Sequence, residues 1–305
     1  MKIVFAALAG LTISTTASAQ DTRNDIVVEG RRLEETARAF VGAISAPPSR
    51  ENQLGRFDSA VCPGVAGINA RQGQFIVDRI AQRAMSLGLS AGAPGCLANV
   101  LVLFTDEPGE LARAIVEEQR YLMANTGMTD NLNTRGSEAL EAFVSDERPV
   151  RWWHVAQTVT GDGQVLRDVP ARLWNGGNRT PHLYAQGVFL SGREATRNSR
   201  TTRQDFRNVV IIVDGPRAAA PRLDALADYL AMVALAQIDP AADTSAFSSI
   251  LNLYGENGER PLRMTEWDES YLEGLYAAPR QAPNVRRQEG RIVHSMRQDI
   301  ERRRQ

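Results

Sequence analysis

The sequence is poor in cysteine, histidine and lysine and has no charge excess, and these shortages narrow the classes of protein it can encode. Lys2 is the only lysine among 305 residues, so every later basic side chain is an arginine, which pairs with carboxylates through a planar fork. Two cysteines are too few for a small disulfide-stapled domain. Because 35 basic residues face 36 acidic ones, the net charge of −1 argues against a nucleic-acid partner held by bulk electrostatics.

Long apolar runs are also missing. The run over residues 3–13 follows Lys2 and is too short for a bilayer span, which needs about 20 residues. It precedes Ala17-Ser18-Ala19, which fits an A-x-A cleavage site. The sequence therefore predicts a signal peptide over residues 1–19 and a periplasmic or secreted product without a transmembrane anchor.

Cys62 and Cys96 form an even pair in a chain that is predicted to be exported, and an oxidising compartment favours a disulfide between them. A thiol pair that holds a metal is the competing interpretation, but two cysteines without a nearby histidine make a poor zinc site.

Motifs for a metal or a cofactor are missing. His154, His182 and His294 share no helical or strand spacing, and neither a Walker loop nor a G-x-G-x-x-G segment occurs. We therefore predict no metal and no cofactor.

Hydrophobic periodicity predicts an α+β fold, with a mixed β-sheet packed by helices and a helical C-terminal third. The early part has β-α-β-α order, with strands over 57–61 and 97–104 and helices over 71–87 and from Pro108 to about Ala124. Later strands are predicted over 150–159 and 208–214, and later helices over 222–238, 244–254, 265–276 and from Asn284 to the end.

We divide the predicted mature chain into three parts. Residues 20–56 form an extended or helical lead and a linker that contains Pro47-Pro48, residues 57–280 form a single α+β domain, and residues 281–305 form a basic C-terminal helix. An apolar stripe of Ile292, Met296 and Ile300 runs along this helix among its arginines. The pattern is typical of a docked tail helix, and it also fits contact with an envelope partner or an anionic surface through residues 284–305.

One helix carries a family resemblance. Residues 227–237 read A-D-Y-L-A-M-V-A-L-A-Q, followed by Ser249-Ile250-Leu251 in a turn and by a helix that ends in Tyr271-Leu272-Glu273-Gly274-Leu275-Tyr276. This order resembles the zincin metallopeptidases, in particular their metzincin and matrixin branch, in which a helix with H-E-x-x-H-x-x-G-x-x-H precedes a methionine turn and another helix. The resemblance implies a zincin-like layout over most of residues 57–276.

The zinc ligands of that family are replaced here. Ala227, Ala231 and Gln237 stand at the three ligand positions, and Asp228 stands at the position of the catalytic glutamate. Zinc needs three donor side chains and a water, and two alanines supply no donor. The resemblance therefore implies a scaffold that has lost its metal site. The apolar spacing of the same segment also fits any buried helix without a family relation.

Other candidate site residues lie around the predicted strand 150–159. His154, together with Asp228, is a weak candidate for catalysis, since a general base needs an orienting partner. A lone histidine on a strand is also typical of a core or rim residue. Trp152, Trp153, Trp174 and Tyr184 concentrate aromatic rings in the middle of the chain, where they line a binding groove or simply fill the core.

These observations leave three hypotheses of function. The leading one is an exported, non-catalytic protein that binds a peptide, a glycan or an envelope partner on a degenerate zincin-like scaffold. The second is a hydrolase with a metal-independent site around His154 and Asp228. The third is a structural envelope protein without a small-molecule cleft.

Overall fold

Five strands and eight helices make up the described part of the chain. The computed structural model describes residues 19–120, 122–124, 131–165, 200–255 and 260–305, with side chains from Gly30 onward. The strands are β1 (Pro63–Ala66), β2 (Val100–Thr105), β3 (Leu132–Asn133), β4 (Val150–Thr160) and β5 (Thr202–Asp214). The helices are α1 (Ala19–Ile44), α2 (Ala70–Ser86), α3 (Pro108–Glu118), α4 (Ser137–Ser145), α5 (Gly215–Ala218), α6 (Leu223–Leu235), α7 (Glu266–Ala277) and α8 (Val285–Arg303).

The strands form one mixed sheet in the order β1-β2-β5-β4-β3. Strands β1, β2 and β5 are parallel, whereas β4 pairs with β5 and β3 pairs with β4 in the antiparallel sense. The register of β4 against β5 shifts at Val155 and Ala156, where β5 carries one extra residue. The predicted α+β class with a mixed sheet is confirmed, and so is the helical C-terminal third.

Helices cover both faces of the sheet, and the central strand β5 buries apolar side chains on each side. Val209, Ile211 and Val213 belong to a large core with α1, α2, α6, α7 and α8, while Val210 and Ile212 belong to a smaller core with α3 and α4. A strand with a helix layer on each face reads as a continuous apolar run rather than an alternating one. This explains the unbroken V-V-I-I-V in the sequence.

Helix α6 lies in the middle of the large core. Every residue of the helix from Ala225 to Leu235 is buried. A helix that is apolar around its whole circumference packs on all sides instead of presenting a polar face to solvent. The 3₁₀ helix Ile250–Tyr254 lies against α6, and the Tyr229 and Tyr254 rings meet edge to face with centroids 5.5 Å apart.

The ends of the chain pack on each other. Phe40 and Ile44 of α1 and Ile292 and Met296 of α8 are all fully buried in the large core. Helix α8 therefore docks through its apolar stripe, while Arg287 and Arg291 on its outer side stay exposed.

The predicted disulfide between Cys62 and Cys96 is confirmed, and it joins Cα atoms 6.2 Å apart. The bond passes so close to Gly92 that a Cβ on this residue would overlap the sulfur of Cys96. In the described residues, no helix is long and apolar enough to cross a membrane.

Several element boundaries differ from the predictions. The first strand begins at Pro63 rather than at Phe57, and Val61 forms only an isolated bridge with Ala91. Proline is tolerated at the first position of an edge strand, which is why β1 can start there. The helix that starts at Pro108 ends at Glu118, well before Ala124.

The predicted helix over 244–254 is reduced to the 3₁₀ turn Ile250–Tyr254. Its first half is a turn in which the Asp243 carboxylate accepts hydrogen bonds from the backbone N–H and the hydroxyl of Ser245. Such local side-chain bonds compete with helix formation. The predicted extended or helical lead is helical, since residues 20–44 lie within α1, in which each added residue contributes one hydrogen bond.

Candidate functional site

The three positions that the zincin resemblance assigns to zinc ligands are packed inside the protein. Ala227, Ala231 and Gln237 have no exposed surface. The side-chain oxygen of Gln237 accepts a hydrogen bond of 2.7 Å from the backbone N–H of Gly55. These positions therefore contribute to the core and to the attachment of a neighbouring segment, and none of them faces solvent.

The carboxylate of Asp228 is completely buried and fully engaged. Arg79 and Arg83 of α2 approach it at 2.9 Å and 3.1 Å, and the backbone N–H of Met264 donates to it at 3.0 Å. Burial raises the pKa of Asp228, but the hydrogen bonds from Arg83, Met264 and Arg79 outweigh this effect and hold the pKa below its usual value. The group is an ionised structural anchor between α6 and α2.

His154 lies on β4 and faces α6. Its Nε2 is 2.8 Å from the carbonyl oxygen of Val233, and its ring stacks on Phe206 at a centroid distance of 4.9 Å. Burial lowers the pKa of His154 to about 4, so the ring is neutral at pH 7. Because a carbonyl only accepts, Nε2 carries the proton and Nδ1 is left as an acceptor.

The structure does not bring His154 and Asp228 together as an acid–base pair. Asp228 is bound to the two arginines and the amide described above, and His154 is bound to a backbone carbonyl. A carboxylate orients a catalytic histidine only when the two are within hydrogen-bond reach. This arrangement is a histidine satisfied by the backbone beside a separate ion pair.

The two tryptophans of β4 point to opposite faces of the sheet. Trp152 belongs to the large core and donates from Nε1 to the carbonyl of Ile238 at 3.0 Å, whereas Trp153 belongs to the small core and donates to Met123 at 3.1 Å. Both rings are buried and have satisfied N–H groups, as in ordinary core packing. The other two predicted binding aromatics, Trp174 and Tyr184, lie outside the described residues.

A groove opens along the edge of β4, and we call it the edge groove. Its cavity has a volume of about 360 Å³. Helix α4 and the loop 238–241 form its walls, and β4 forms its floor. The lining residues are Arg135, Glu138, Ala139, Ala142, Phe143, Asp146, Arg148, residues 151–154 and residues 238–241.

The floor of the edge groove is an open strand edge. Strand β3 pairs only with Ala156 and Gln157, and in the part of the chain that the structure describes no strand pairs with residues 150–154 on the side away from β5. Main-chain groups alternate between the two edges of a strand. Because the N–H of Thr158 bonds outward to Asn131, the groups of Trp152 and His154 share that phase and face the groove.

The charges of the edge groove are mostly paired. Arg135 forms a 3.0 Å ion pair with Asp239, and Arg148 forms one with Asp146 at the same distance. Arg151 is 5% exposed and has no carboxylate within ion-pair distance among the described residues. Burial lowers the pKa of the Arg151 guanidinium, yet arginine stays protonated in proteins, so the groove contains a buried cation.

The edge groove combines residues that our sequence analysis named with residues that it missed. Trp152, Trp153 and His154 line it, but α4, the loop 238–241 and the three arginines were not predicted as site elements. One signal was available, since an arginine between Val150 and Trp152 is unusual in a buried strand.

Among the described residues, no group of three or more histidine, cysteine, aspartate or glutamate side chains is placed to hold a metal ion. Comparisons of the chain with known protein families, with curated proteins and with solved structures find no match to any of them. The interpretation of the site therefore depends on its geometry.

Proposed function

We propose that this protein is an exported, non-catalytic binding protein that takes up an extended peptide in the edge groove. The observation that carries the proposal is the edge of β4 over residues 150–154, with which no described strand pairs on the side away from β5. A strand edge with free N–H and C=O groups is a template for a further strand, and peptide-binding proteins use it by adding the ligand to the sheet.

The surroundings of the edge support a strand-shaped ligand. Helix α4 and the loop 238–241 rise on either side of β4, so the groove admits a narrow chain along the strand direction. Main-chain hydrogen bonds to Trp152 and His154 would supply affinity without reading side chains. The alternate side chains of the ligand would meet the walls, where Ala142 leaves space on the α4 side.

Binding without turnover is supported by the state of the two catalytic candidates. The carboxylate of Asp228 is occupied by three donors, and His154 is held by a backbone carbonyl rather than by an orienting acid. Neither arrangement supplies an activated nucleophile or a base with a matched pKa.

The zincin-like origin of the scaffold stays a hypothesis. It is supported by a helix with the degenerate ligand positions, by a following turn that packs against this helix, and by an antiparallel strand that borders the groove. Export to the periplasm or the medium is supported by the N-terminal pattern and by the disulfide. Contact of an anionic surface with residues 284–305 is likewise a hypothesis, and the exposed Arg287 and Arg291 favour it.

Affinity selection from a synthetic library of random peptides tests the proposal. The library is made in two pools, one with free carboxyl termini and one amidated, and retained peptides are identified by mass spectrometry. We expect binders, and we expect Ala142→Phe, which fills the groove from α4, to weaken them at least about tenfold, or 1.4 kcal/mol.

Glu141→Phe is the matched control, because Glu141 is the preceding residue of α4, is exposed and does not line the groove. Equal binding by both variants, or no binder in either pool, would contradict the proposal. Cleavage of the retained peptides by the purified protein would instead favour the metal-independent hydrolase, with loss of cleavage on His154→Ala as its check.

A further inference from the structure

Arg151 is a buried charge that forms no ion pair with any residue the structure describes. It is 5% exposed, and none of the three acidic groups that act on it, Asp214, Asp146 and Glu147, forms an ion pair with it. Asp214 is engaged with Arg217 and Asp146 with Arg148. Buried cations in folded proteins are normally paired or bound to an anion, since an isolated buried charge is costly.

The guanidinium of Arg151 is only partly used by the protein. Its Nη1 donates to the carbonyls of Phe143 and Val144, at 3.3 Å and 2.7 Å, which caps the C-terminal end of α4. Its Nε–H has no hydrogen-bond partner although it is shielded from solvent. No described residue accepts from this donor, so part of the hydrogen-bonding capacity of this groove-lining cation is unused by the described chain.

The other charges favour an anion at one end of the edge groove. The pairs Arg135–Asp239 and Arg148–Asp146 neutralise each other, which leaves Arg151 inside and Glu138 at the exposed rim. Glu138 and Val144 are six residues apart on α4, or roughly 9 Å along its axis. An anion therefore meets attraction near Arg151 and repulsion near Glu138.

The strand edge ends at the same place. Strand β4 begins at Val150, so the edge available to a ligand ends next to Arg151, the second residue of the strand. A peptide that runs antiparallel to β4, from His154 towards Val150, would have its last residue there. This orientation places a terminal carboxylate beside the Arg151 guanidinium.

We propose that the edge groove recognises the C-terminal carboxylate of its peptide through Arg151. This inference rests on the peptide-binding function proposed above and deepens it. The carboxylate accepts from the Arg151 guanidinium, and the peptide backbone continues along β4 away from it.

Peptides retained from the library are synthesised as free-acid and amide pairs, and their dissociation constants are measured by isothermal titration calorimetry. We expect the free acid to bind about tenfold or more tightly than its amide, as for a hydrogen bond between charged groups in a shielded site. An amidated peptide with a glutamate as its last residue separates a terminal from a side-chain carboxylate, and we expect it to bind as weakly as other amides. Tight binding by that peptide would overturn the assignment to the C terminus.

Arg151→Gln should bring the ratio of acid to amide affinity close to one, while Arg151→Lys, which keeps the charge but not the fork, should retain part of it. Arg113→Gln is the control, since Arg113 is exposed, is paired with Glu110 and does not line the groove, and we expect it to leave the ratio unchanged. A variant that is merely destabilised weakens both peptides alike and leaves the ratio intact, so an unchanged ratio in Arg151→Gln would contradict the role.

If Arg151→Gln does not fold, the affinities of the wild-type protein for the acid and the amide still test the carboxylate inference. Equal affinity for acid and amide, with both sensitive to Ala142→Phe, would overturn the carboxylate inference and leave peptide binding intact. The absence of any binder would overturn the proposed function itself.

Discussion

Two arginines and one backbone amide hold the carboxylate of Asp228 in a site without solvent. A buried ion pair adds little net stability compared with apolar packing, because both ions lose their hydration. Removing Asp228 costs more, since the N–H of Met264 then loses its acceptor and the half-buried Arg79 and Arg83 lose their buried carboxylate. Removing Asp228 alone is therefore expected to destabilise the fold by more than replacing the whole ion pair with apolar side chains would.

We expect Asp228→Ala to destabilise the fold by about 3–5 kcal/mol, because Arg79 loses its carboxylate and Arg83 keeps only Glu269. Urea unfolding at neutral pH measures the change. The control is Asp224→Ala on the same helix, whose partner Arg222 is largely exposed, and we expect it to cost less than about 1 kcal/mol. Similar losses in the two variants would show that Asp228 is not the anchor we describe.

His154 makes the stability of the protein depend on pH. Its folded pKa is about 4 and its unfolded pKa is about 6.5, so the unfolded chain binds the extra proton between these values. The stabilisation is complete above pH 6.5 and is lost as the pH falls to 4. At 1.36 kcal/mol per pKa unit the loss amounts to about 3 kcal/mol.

His154→Gln keeps a donor for the Val233 carbonyl but cannot titrate, so we expect its stability to fall less than that of the wild type between pH 6.5 and pH 4. Urea unfolding at several pH values in this window gives both slopes, and their difference isolates His154 from the carboxylates that titrate in parallel. Identical slopes would contradict the lowered pKa of His154 in the folded protein.

At the scale of elements, arginines and acids tie four helices together. Arg83 of α2 joins Asp228 of α6 to Glu269 of α7, and Arg303 of α8 reaches Glu269 and Asp299. Most of these pairs are partly exposed, so each adds little by itself. They fix the helices in register over a core that supplies the larger share of the stability.

Helix α8 belongs to that core. It buries Ile292, Val293, Met296 and Ile300, and the side chain of Gln288 bonds both main-chain groups of Leu54. Full burial of an aliphatic side chain contributes roughly 1.5–3 kcal/mol, and the whole protein is expected to have a net stability of about 5–15 kcal/mol.

We therefore expect deletion of residues 284–305 to leave a chain that does not fold cooperatively, as judged by circular dichroism during heating. Deletion of the exposed Arg304 and Gln305 alone should leave the melting temperature nearly unchanged. A cooperative transition near that of the wild type in the long deletion would mean that α8 is a solvated appendage, contrary to its packing.

At the scale of the whole molecule, the disulfide is the one covalent constraint among the described residues. It closes a loop of 34 positions that contains α2, the helix that supplies both arginine partners of Asp228. A cross-link of this span removes entropy from the unfolded chain and stabilises the fold by roughly 4 kcal/mol in the loop-entropy description.

Reduction of the wild-type protein, or the double variant Cys62→Ala with Cys96→Ala, should lower the free energy of unfolding by about that amount. Chemical denaturation with and without dithiothreitol measures it. The double variant is its own control, because the reductant should have no effect on a chain without cysteines. A wild type that is insensitive to the reductant would show that the bond does not form in the folded protein.

The local hydrophobic pattern of the sequence was enough to predict many of the helices and strands. The apolar spacing of residues 71–87 predicted α2, and the run at 208–214 predicted the centre of β5. Cysteine number and the predicted export signal together predicted the pairing of Cys62 with Cys96. These features can be read locally because helical and strand periods are set by backbone geometry over a few residues.

Contacts between distant segments have no such local signal. Asp228 meets Arg83 across 145 positions, and the edge groove joins α4, β4 and the loop 238–241, which share no motif. The same periodicity that predicted α6 also left open whether the helix faces a cleft or is sealed. That outcome depends on which elements pack around it, and the packing follows from the strand order and from the global burial of apolar surface rather than from any segment alone.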